Sequence, residues 1–163
     1  MKILVLSDSH SSMGFMRKCV EQVHPDAIIH LGDYYEDGRE LSEEYPHIPF
    51  HQVPGNCDMY RYFGPAPMKL CYPLDGVMMM MVHGHKQGVK SGISRLVAEA
   101  RAERAQAVLY GHTHVPDCHQ EPDGLWVLNP GSSGLGTAGY METEDGHILA
   151  CKILKKSDIE EKL

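Results

Sequence analysis

Residues 3–10 read ILVLSDSH, and this stretch decides the fold. Four consecutive apolar residues, two of them β-branched, are typical of a short strand buried on both faces. The apolar run stops at a polar segment that holds a carboxylate, Asp8, and an imidazole, His10. The sequence therefore predicts a buried β-strand with Asp8 and His10 beyond its carboxyl end.

Four later segments repeat this arrangement of an apolar strand followed by Asp, Asn or His. They are AIIHLGD at 27–33, FHQVPGNCD at 50–58, VMMMMVHGH at 77–85 and AVLYGHTH at 107–114. In layered α/β folds the carboxyl ends of parallel strands meet at one edge, and ligands bind there. We therefore expect side chains spread over more than a hundred positions to form one site.

The segments between and after these strands predict an α/β chain. Apolar spacing of helical period indicates helices at about 13–23 and 93–104, and a short polar helix is expected at about 37–45. After residue 109 the pattern changes, and Asp-Gly pairs at 123–124 and 145–146 between strand-like runs predict antiparallel hairpins. No repeat or linker interrupts the chain, so residues 1–163 are predicted to form one domain.

The charge balance argues against nucleic acid as a partner. The formal net charge is −7, and Lys and Arg form no cluster or arm. Proteins that bind nucleic acid tightly neutralise its phosphates with such clusters. A small phosphate ester stays open as a substrate, because bound metal ions can supply the positive charge of a site.

The cysteines and the apolar runs predict a cytoplasmic protein. Five cysteines form no CxxC pair, and reduced thiols are the simplest account of them. The apolar run at the N-terminus ends at Ser7, too short for a signal peptide. No stretch approaches the roughly 18 consecutive apolar residues of a membrane span, so no membrane contact is expected.

Together the five polar clusters resemble the signature DxH…GD…GN…H…GHxH of the calcineurin-like metallophosphoesterase superfamily. The similarity runs from about residue 3 to Ser132 and is greatest to the small bacterial and archaeal phosphodiesterase branch (YfcE-like), which also carries GNCD. A DxH or GD segment alone is usually a turn or a helix cap. Five such clusters in the order of the family, each behind a strand, favour the family interpretation.

The resemblance implies a fold, a metal centre and a mechanism. The implied fold is a four-layer α/β/β/α sandwich of two mixed β-sheets flanked by helices. Two divalent ions are implied, with Mn²⁺ expected and Fe²⁺, Zn²⁺, Ni²⁺ or Co²⁺ as alternatives, because carboxylate and imidazole donors suit these ions. A hydroxide bridging the two metals would attack phosphorus.

The resemblance also assigns ligands, residue by residue. One carboxylate has to bridge metals that lie roughly 3.5–4 Å apart, and by resemblance this is Asp33. The implied ligands of the first metal are Asp8, His10, Asp33 and His114, and those of the second are Asp33, Asn56, His83 and His112. Alone, His112 and His114 could equally be exposed histidines or half of a zinc site.

Four residues are expected to take part in catalysis, namely Asp33, Asn56, His85 and Cys57. His85 could support a metal ligand, contact phosphate or simply be exposed. Cys57 stands where larger family members carry a His that is thought to protonate the leaving group. A thiol with a pKa near 8.5 could donate a proton, and packing in the core is the alternative for this side chain.

Several other features of the sequence are interpreted as structural. His30 lies inside a predicted strand and is expected to be a hydrogen-bonded core histidine. The segment GLGTAG at 134–139 matches GxGxxG but leads into a predicted strand, whereas a dinucleotide fingerprint opens a helix. The methionine run 78–81 is interpreted as a buried strand, and NPGS at 129–132 as a tight turn.

The predicted function is hydrolysis of a small phosphodiester. A phosphomonoesterase, including a phosphoprotein phosphatase, uses the same metal site and stays open as an alternative. So does an interaction scaffold, since relatives resembling retromer scaffold subunits keep the fold and lose ligands. A nuclease is disfavoured by the acidic charge. Self-association into a dimer or tetramer is an expectation from small relatives.

Overall fold

A computed structural model describes residues 1–60 and 66–160 of the chain. Within them the secondary structure follows the predicted order of alternating strands and helices, then hairpins. The elements are β1 (Lys2–Leu6), α1 (Met13–Val23), β2 (Ala27–His30), α2 (Tyr35–Glu44), β3 (Phe50–Gln52), β4 (Lys69–Leu74), β5 (Val77–Val82), α3 (Ser94–Ala102), β6 (Ala107–Leu109), β7 (Asp117–Gln120), β8 (Trp126–Asn129), β9 (Thr137–Glu144), β10 (His147–Lys155) and α4 (Lys156–Glu160).

The strands of the described residues form two mixed sheets of five. The first has the order β10-β9-β1-β2-β3, with β1, β2 and β3 parallel and β9 antiparallel to its neighbours. The second has the order β4-β5-β6-β8-β7, with β5, β6 and β8 parallel and β4 and β7 antiparallel. Parallel strands therefore lie at the centre of one sheet and reach the edge of the other.

The tight turns form where the Asp-Gly pairs predict them. β9 and β10 meet at Asp145-Gly146, as predicted, and β4 and β5 meet at a further Asp-Gly pair, Asp75-Gly76. Both residues of each pair have positive φ, between 46° and 84°. A two-residue hairpin loop of this type requires positive φ twice, which Asp tolerates and Gly adopts freely. β7 and β8 likewise pair antiparallel around Asp123-Gly124.

Apolar side chains fill three layers of core. Ile3 and Val5 of β1 point between the two sheets, where they meet side chains such as Met79. Leu4 and Leu6 point outward, where α1, α2 and α4 cover the first sheet. The outer face of the second sheet is covered by α3. Because both faces of each sheet are buried, its central strands are continuously apolar, and the predicted four-layer sandwich is confirmed.

Two sequence interpretations are also resolved by this arrangement. The methionine run is β5, with Met79 and Met81 between the sheets and Met80 against the layer of α3. The GLGTAG segment passes through a 3₁₀ turn, Ser133–Leu135, into β9, so the rejection of a dinucleotide fingerprint is confirmed. In the described ranges, no helix combines the length and apolarity needed to cross a membrane.

The prediction of one domain over residues 1–163 extends into two short segments, 61–65 and 161–163, that lie outside the described residues. Across the rest of the chain, α1 packs against α2, α4 and β1. β1 pairs with both β2 and β9, so the N-terminal strand joins the early α/β part to the late hairpin.

A Gly14→Ala substitution is expected to stabilise the fold. Gly14 lies in the first turn of α1, is exposed, and an added Cβ would meet nothing within 4 Å. Alanine loses less backbone entropy than glycine in a helix, so the free energy of unfolding should rise by about 0.5–1 kcal/mol. Thermal unfolding followed by circular dichroism should show a midpoint raised by roughly 1–4 °C.

The matched control is Gly38→Ala, the same change in α2. There an added Cβ would overlap Gln52 Oε1 and lie 3.1 Å from His30 Cγ, so destabilisation is expected. A midpoint lowered by Gly14→Ala would contradict the assignment of Gly14 to an open helix surface.

Candidate metal centre

The side chains predicted as metal ligands lie at the carboxyl ends of β1, β2, β3, β5 and β6. They form two clusters in the described residues, and within each cluster one donor atom per residue lies within 4.8 Å of every other. The first cluster is Asp8, His10, Asp33 and His114, and the second is Asp33, His83 and His112. Asp33 belongs to both. The donor atoms of each cluster are close enough together to hold a metal ion. The roles of the individual residues as ligands stay a prediction.

The two clusters have a buried floor and an open rim. Asp8, Asp33 and His83 are buried, whereas His112 and His114 are half-buried and His10 is exposed. The carboxylates therefore lie at the bottom of the site and imidazoles surround its mouth. Such a site is closed behind its acidic groups and accessible to a solute from one side.

The backbone of five of these residues is left-handed. φ is 52° at Asp8, 45° at His10, 56° at Asp33, 70° at His112 and 63° at His114. This conformation costs a residue with a Cβ about 1 kcal/mol or more. It bends the chain sharply where each strand ends, and side chains two residues apart, at 8 and 10 and at 112 and 114, reach the clusters. Backbone outliers of this kind concentrate at functional sites.

Two glycines allow neighbouring loops to pack directly on the carboxylates. A Cβ at Gly55 would lie 2.6 Å from the backbone nitrogen of Asp33 and would overlap its carboxylate. A Cβ at Gly111 would lie 2.8 Å from Asp8 Oδ2. At both glycines a side chain would clash with a carboxylate of the site, so the close approach depends on the missing Cβ.

The ring of His83 is oriented by the backbone of the loop after β2. Its Nδ1 donates a hydrogen bond to the carbonyl oxygen of Leu31 at 2.8 Å. Its Nε2 then faces the cluster, 3.5 Å from Asp33 Oδ2 and 3.2 Å from His112 Nδ1. A histidine that ligates a metal commonly donates its other nitrogen to a carbonyl in this way, which fixes the tautomer.

The carboxylates are held in an environment that favours a cation. Burial raises the pKa of Asp8, opposed by the nearby His83 and a hydrogen bond from Ser7. Burial also raises the pKa of Asp33, but the hydrogen bond and charge of His83 and the N–H of Cys57 outweigh it and lower that pKa well below its usual range. In turn, burial lowers the pKa of His83, and the two carboxylates reverse this and raise it. Two buried carboxylates thus share one imidazole, which leaves room for further positive charge.

His112 is kept in the form that can bind a metal. Burial, followed by the charges of His83 and Lys90, lowers its pKa to about 4. Its imidazole is therefore neutral near pH 7, as a metal ligand must be. The backbone N–H of His112 donates to Asp8 Oδ2 at 3.2 Å, and His114 Nε2 lies 3.1 Å from Asp8 Oδ1.

The amide of Asn56 supplies an unused oxygen. Asn56 starts the 3₁₀ turn Asn56–Tyr60 after β3, and its Oδ1 is buried without a hydrogen-bond partner among the described residues. Buried polar atoms nearly always have a partner, so this one has room for a ligand. Asp58 fixes the turn by accepting hydrogen bonds from the N–H groups of Gly55 and Tyr35, both at 2.8 Å.

His85 lies beside the second cluster. Its ring centroid is 5.5 Å from that of His83 and 6.1 Å from that of His112. Both of its ring nitrogens are buried and have no partner within the described part of the chain. Burial, then the charge of His83, lowers its pKa. The half-buried position disfavours the exposed alternative, while a functional role of His85 stays a prediction.

Cys57 is attached to the site through its backbone. Its N–H donates to Asp33 Oδ1 at 3.0 Å. Its side chain is half-buried and lies outside the three apolar cores of the described residues. Burial and then the charge of Asp33 raise the pKa of the thiol. The thiol is thus protonated near neutral pH, and its role as a proton donor stays a prediction.

A buried network behind the first cluster was missed by the sequence analysis. The N–H of Gly32 donates to His30 Nδ1 at 3.3 Å, so His30 Nε2 carries the proton and donates to Ser9 Oγ at 3.0 Å. Ser9 Oγ donates to Asp37 Oδ2 at 2.8 Å, and the N–H of Ser11 donates to the same oxygen at 2.7 Å. His30 is a hydrogen-bonded core histidine, as predicted. It also holds the loop that carries Asp8 and His10.

The NPGS segment is a turn that ties the site loops together. Asn129 Oδ1 accepts from the N–H of Gly131 at 2.9 Å, and its Nδ2 donates to Thr113 Oγ1 at 2.9 Å. Ser132 Oγ donates to the carbonyl oxygen of Asp8 at 2.7 Å. The structural interpretation of this turn is confirmed. Its anchoring of the loops after β1 and β6 had no signal in the sequence.

The chain belongs to the calcineurin-like phosphoesterase superfamily, whose domain model matches residues 1–146. A phosphodiesterase from Methanocaldococcus jannaschii is 26% identical over 165 aligned positions, which cover 88% of this chain and 94% of that protein. A crystal structure of a predicted phosphoesterase from Streptococcus pneumoniae superposes with a TM-score of 0.77 at 26% identity, covering 96% of this chain and 90% of that one.

The fold is shared more widely than these relatives. Vps29 from Entamoeba histolytica, in a crystal structure with Zn²⁺, superposes with a TM-score of 0.71 at 16% identity. The match covers 96% of this chain and 99% of that one. At this identity the likeness concerns the fold alone.

The pKa of His30 predicts a specific pH dependence of stability. Burial lowers this pKa from 6.5 to about 4, with Asp58 and Asp33 opposing and His83 adding to the effect. The unfolded chain therefore takes up the proton first, and stability is lost as the pH falls from 6.5 toward 4. Between pH 7 and pH 4.5 the wild type should lose about 2 kcal/mol more than His30→Gln, which keeps a donor for Ser9 and does not titrate.

Urea unfolding at both pH values, with a chelator present so that the metal ligands stay empty, measures this difference. His147→Gln, a change at an exposed histidine of β10, is the matched control and should lose as much stability as the wild type. An equal loss in His30→Gln and wild type would show that His30 is not buried as a neutral ring.

Proposed function

We propose that this chain is a metal-dependent phosphodiesterase with a dinuclear metal centre. The observation that supports this most directly is the membership of Asp33 in both donor clusters. A carboxylate has two oxygens and can serve two ions at once. Two-metal phosphoesterases depend on such sharing, because their ions lie only about 3.5–4 Å apart.

The proposed ligands use every donor of the clusters and one more. Asp33 is the proposed bridge between the two ions. Asp8, His10 and His114 complete the first metal site, while Asn56, His83 and His112 complete the second. The unpartnered Oδ1 of Asn56 and the inward Nε2 of His83 support the second set. Carboxylate, amide oxygen and imidazole suit Mn²⁺, the proposed ion, and Fe²⁺, Zn²⁺, Ni²⁺ or Co²⁺ as alternatives.

When bound, the metal ions would supply an activated water and neutralise charge on the phosphoryl oxygens. The protein groups then have separate tasks. The N–H of Cys57 holds the Asp33 carboxylate in place, and Nε2 of His83 is directed at the second metal site. His85 can direct an unpartnered ring nitrogen at a phosphoryl oxygen. The protonated thiol of Cys57 is the proposed donor to the leaving group.

A diester is preferred over a monoester as the proposed substrate because a relative that matches 88% of this chain is named a phosphodiesterase. A phosphomonoesterase is the alternative within the same site. An interaction scaffold of the same fold is the alternative outside catalysis, and the presence of a competent donor at all seven ligand positions argues against it. The cytoplasmic location and a dimeric or tetrameric state stay predictions.

The first test is hydrolysis of an aryl phosphodiester and the matching monoester after reconstitution with Mn²⁺. Diester cleavage should exceed monoester cleavage. Asp33→Asn should lower the rate of diester cleavage by more than roughly 100-fold. Loss of a group that only supports a metal ligand costs up to about 100-fold, and Asp33 is itself the proposed bridging ligand. Asp123→Asn, a change at an exposed carboxylate paired with Arg101, is the control and should keep wild-type activity.

The outcomes separate the alternatives. Faster monoester cleavage would replace the diesterase by a monoesterase. A folded protein without activity toward either ester, with any of the five candidate ions, would favour the scaffold.

The proposed role of Cys57 predicts a dependence on the leaving group. A thiol is a poorer positioned acid than imidazole, so esters with poor alkoxide leaving groups should be cleaved slowly relative to aryl esters. Cys57→His should raise the alkyl-to-aryl ratio of kcat/KM, while Cys57→Ser should lower it. Cys71→Ser, at a half-buried cysteine on β4, is the control. An unchanged ratio in Cys57→His would assign Cys57 to packing alone.

A further inference from the structure

Two cysteines distant in sequence lie in contact where the two sheets meet. The Sγ atoms of Cys118 and Cys151 are 2.9 Å apart, shorter than a van der Waals contact between two sulfur atoms. Cys118 is on β7 and Cys151 on β10, and these are edge strands of different sheets. Both side chains are half-buried against the core between the sheets. The pair takes no part in the proposed metal centre.

We propose that Cys118 and Cys151 form a redox-active dithiol, which a small disulfide oxidises to an intramolecular disulfide that links the two sheets. The proposal is based on the contact between two thiols whose strands are each fixed by pairing within a different sheet. Cys118 is held by its pairing with Leu128, and Cys151 by its pairing with Met141. The two sulfurs therefore meet without rearrangement of either strand.

The two thiols are unequal, which assigns them different steps. The hydrogen bond between the two thiols lowers the pKa of Cys118, while burial opposes this. The same hydrogen bond, together with burial, raises the pKa of Cys151 far above its usual range. Nearby charges act on Cys118 in both directions, since Asp117 raises its pKa and His119 lowers it. Cys118 is thus the thiol that forms a thiolate first, and Cys151 is the one that follows.

The oxidation balances as two thiol–disulfide exchanges. The Cys118 thiolate attacks one sulfur of a small disulfide RSSR, forms a mixed disulfide and releases RS⁻, which takes up the proton that Cys118 lost. Cys151 then loses its proton to solvent and attacks Cys118 Sγ, which releases the second RS⁻ and, after protonation, a second RSH. Two protein thiols lose two electrons in total, and RSSR gains them.

The remaining cysteines offer no second pair among the described residues. Cys19 is buried in the core beneath α1, where burial raises its pKa to about 12. Cys71 lies on β4, at the opposite edge of the second sheet from Cys118. Cys57 is in the metal-site loop. Oxidation should therefore be selective for one linkage out of the ten that five cysteines permit.

The linkage would act on stability rather than on the chemistry of the site. It closes a loop between residues 33 positions apart and joins edge strands that belong to different sheets. A cross-link of this kind restricts the unfolded chain. The thermal midpoint should rise by about 5–15 °C on oxidation.

The test uses the full chain, incubated with glutathione disulfide, quenched by alkylation of free thiols and digested without reductant. Mass spectrometry should find the Cys118 and Cys151 peptides joined by a disulfide. Non-reducing gel electrophoresis should show that this disulfide lies within one chain and does not join two chains. Thermal unfolding with and without dithiothreitol should show the shift. Cys71→Ser should behave as wild type, whereas Cys151→Ser should keep glutathione attached to Cys118 and gain no stability.

Three results would overturn the proposal. One is full alkylation of both Cys118 and Cys151 in wild type after the glutathione disulfide treatment. Another is a disulfide that joins Cys118 or Cys151 to another chain. The third is a joined peptide with an unchanged thermal midpoint, which would leave the linkage without effect on the two sheets. The first two are read on the wild type, so they do not depend on whether Cys151→Ser folds.

Discussion

Burial of two carboxylates side by side, Asp8 and Asp33, is the constraint on which the rest of the structure depends. Each follows a parallel strand of the first sheet, and their donor atoms fall within one cluster. Two like charges out of water cost free energy unless other groups compensate for them. The neighbouring loops supply those groups as N–H donors from Cys57 and His112 and an imidazole from His83. A divalent cation at the candidate site would complete the same compensation with the largest single charge.

The sandwich makes this concentration of charge tolerable because it confines polar groups to one end. Each sheet is apolar on both faces, so neither face can accept an unpaired carboxylate. The strand ends are the remaining place where two sheets and five loops meet. Behind the strand ends, Ser9, His30 and Asp37 form a buried network in which the polar side chains are hydrogen-bonded to one another. The residues that stabilise the fold therefore lie along the strands, and the candidate site residues lie at the carboxyl ends of the strands.

Much of this could be predicted from the sequence, because the decisive signals are local. Buried strands are continuous apolar runs, hairpins carry Asp-Gly, and the predicted helix 93–104 differs from Ser94–Ala102 only at its ends. The gathering of the ligands followed from strand order and family resemblance. The left-handed backbone at Asp8 and His112 could not be predicted, since only a small fraction of non-glycine residues adopt it and tertiary packing decides which ones do. The partners of His30, Ser132 and Cys118 were missed for the related reason that they are distant in sequence.

The left-handed backbone at the candidate ligands has an evolutionary consequence. Residues held in this conformation lower the stability of the fold, and glycine or asparagine would be less strained there. Selection for stability alone would therefore favour replacement of these side chains. A lineage released from selection on the site would lose the candidate ligands one loop at a time, while the three apolar cores, and with them the sandwich, persisted. The fold can thus persist after the candidate site is lost, because its stability comes from the apolar cores. Such a chain would then be available for a different function.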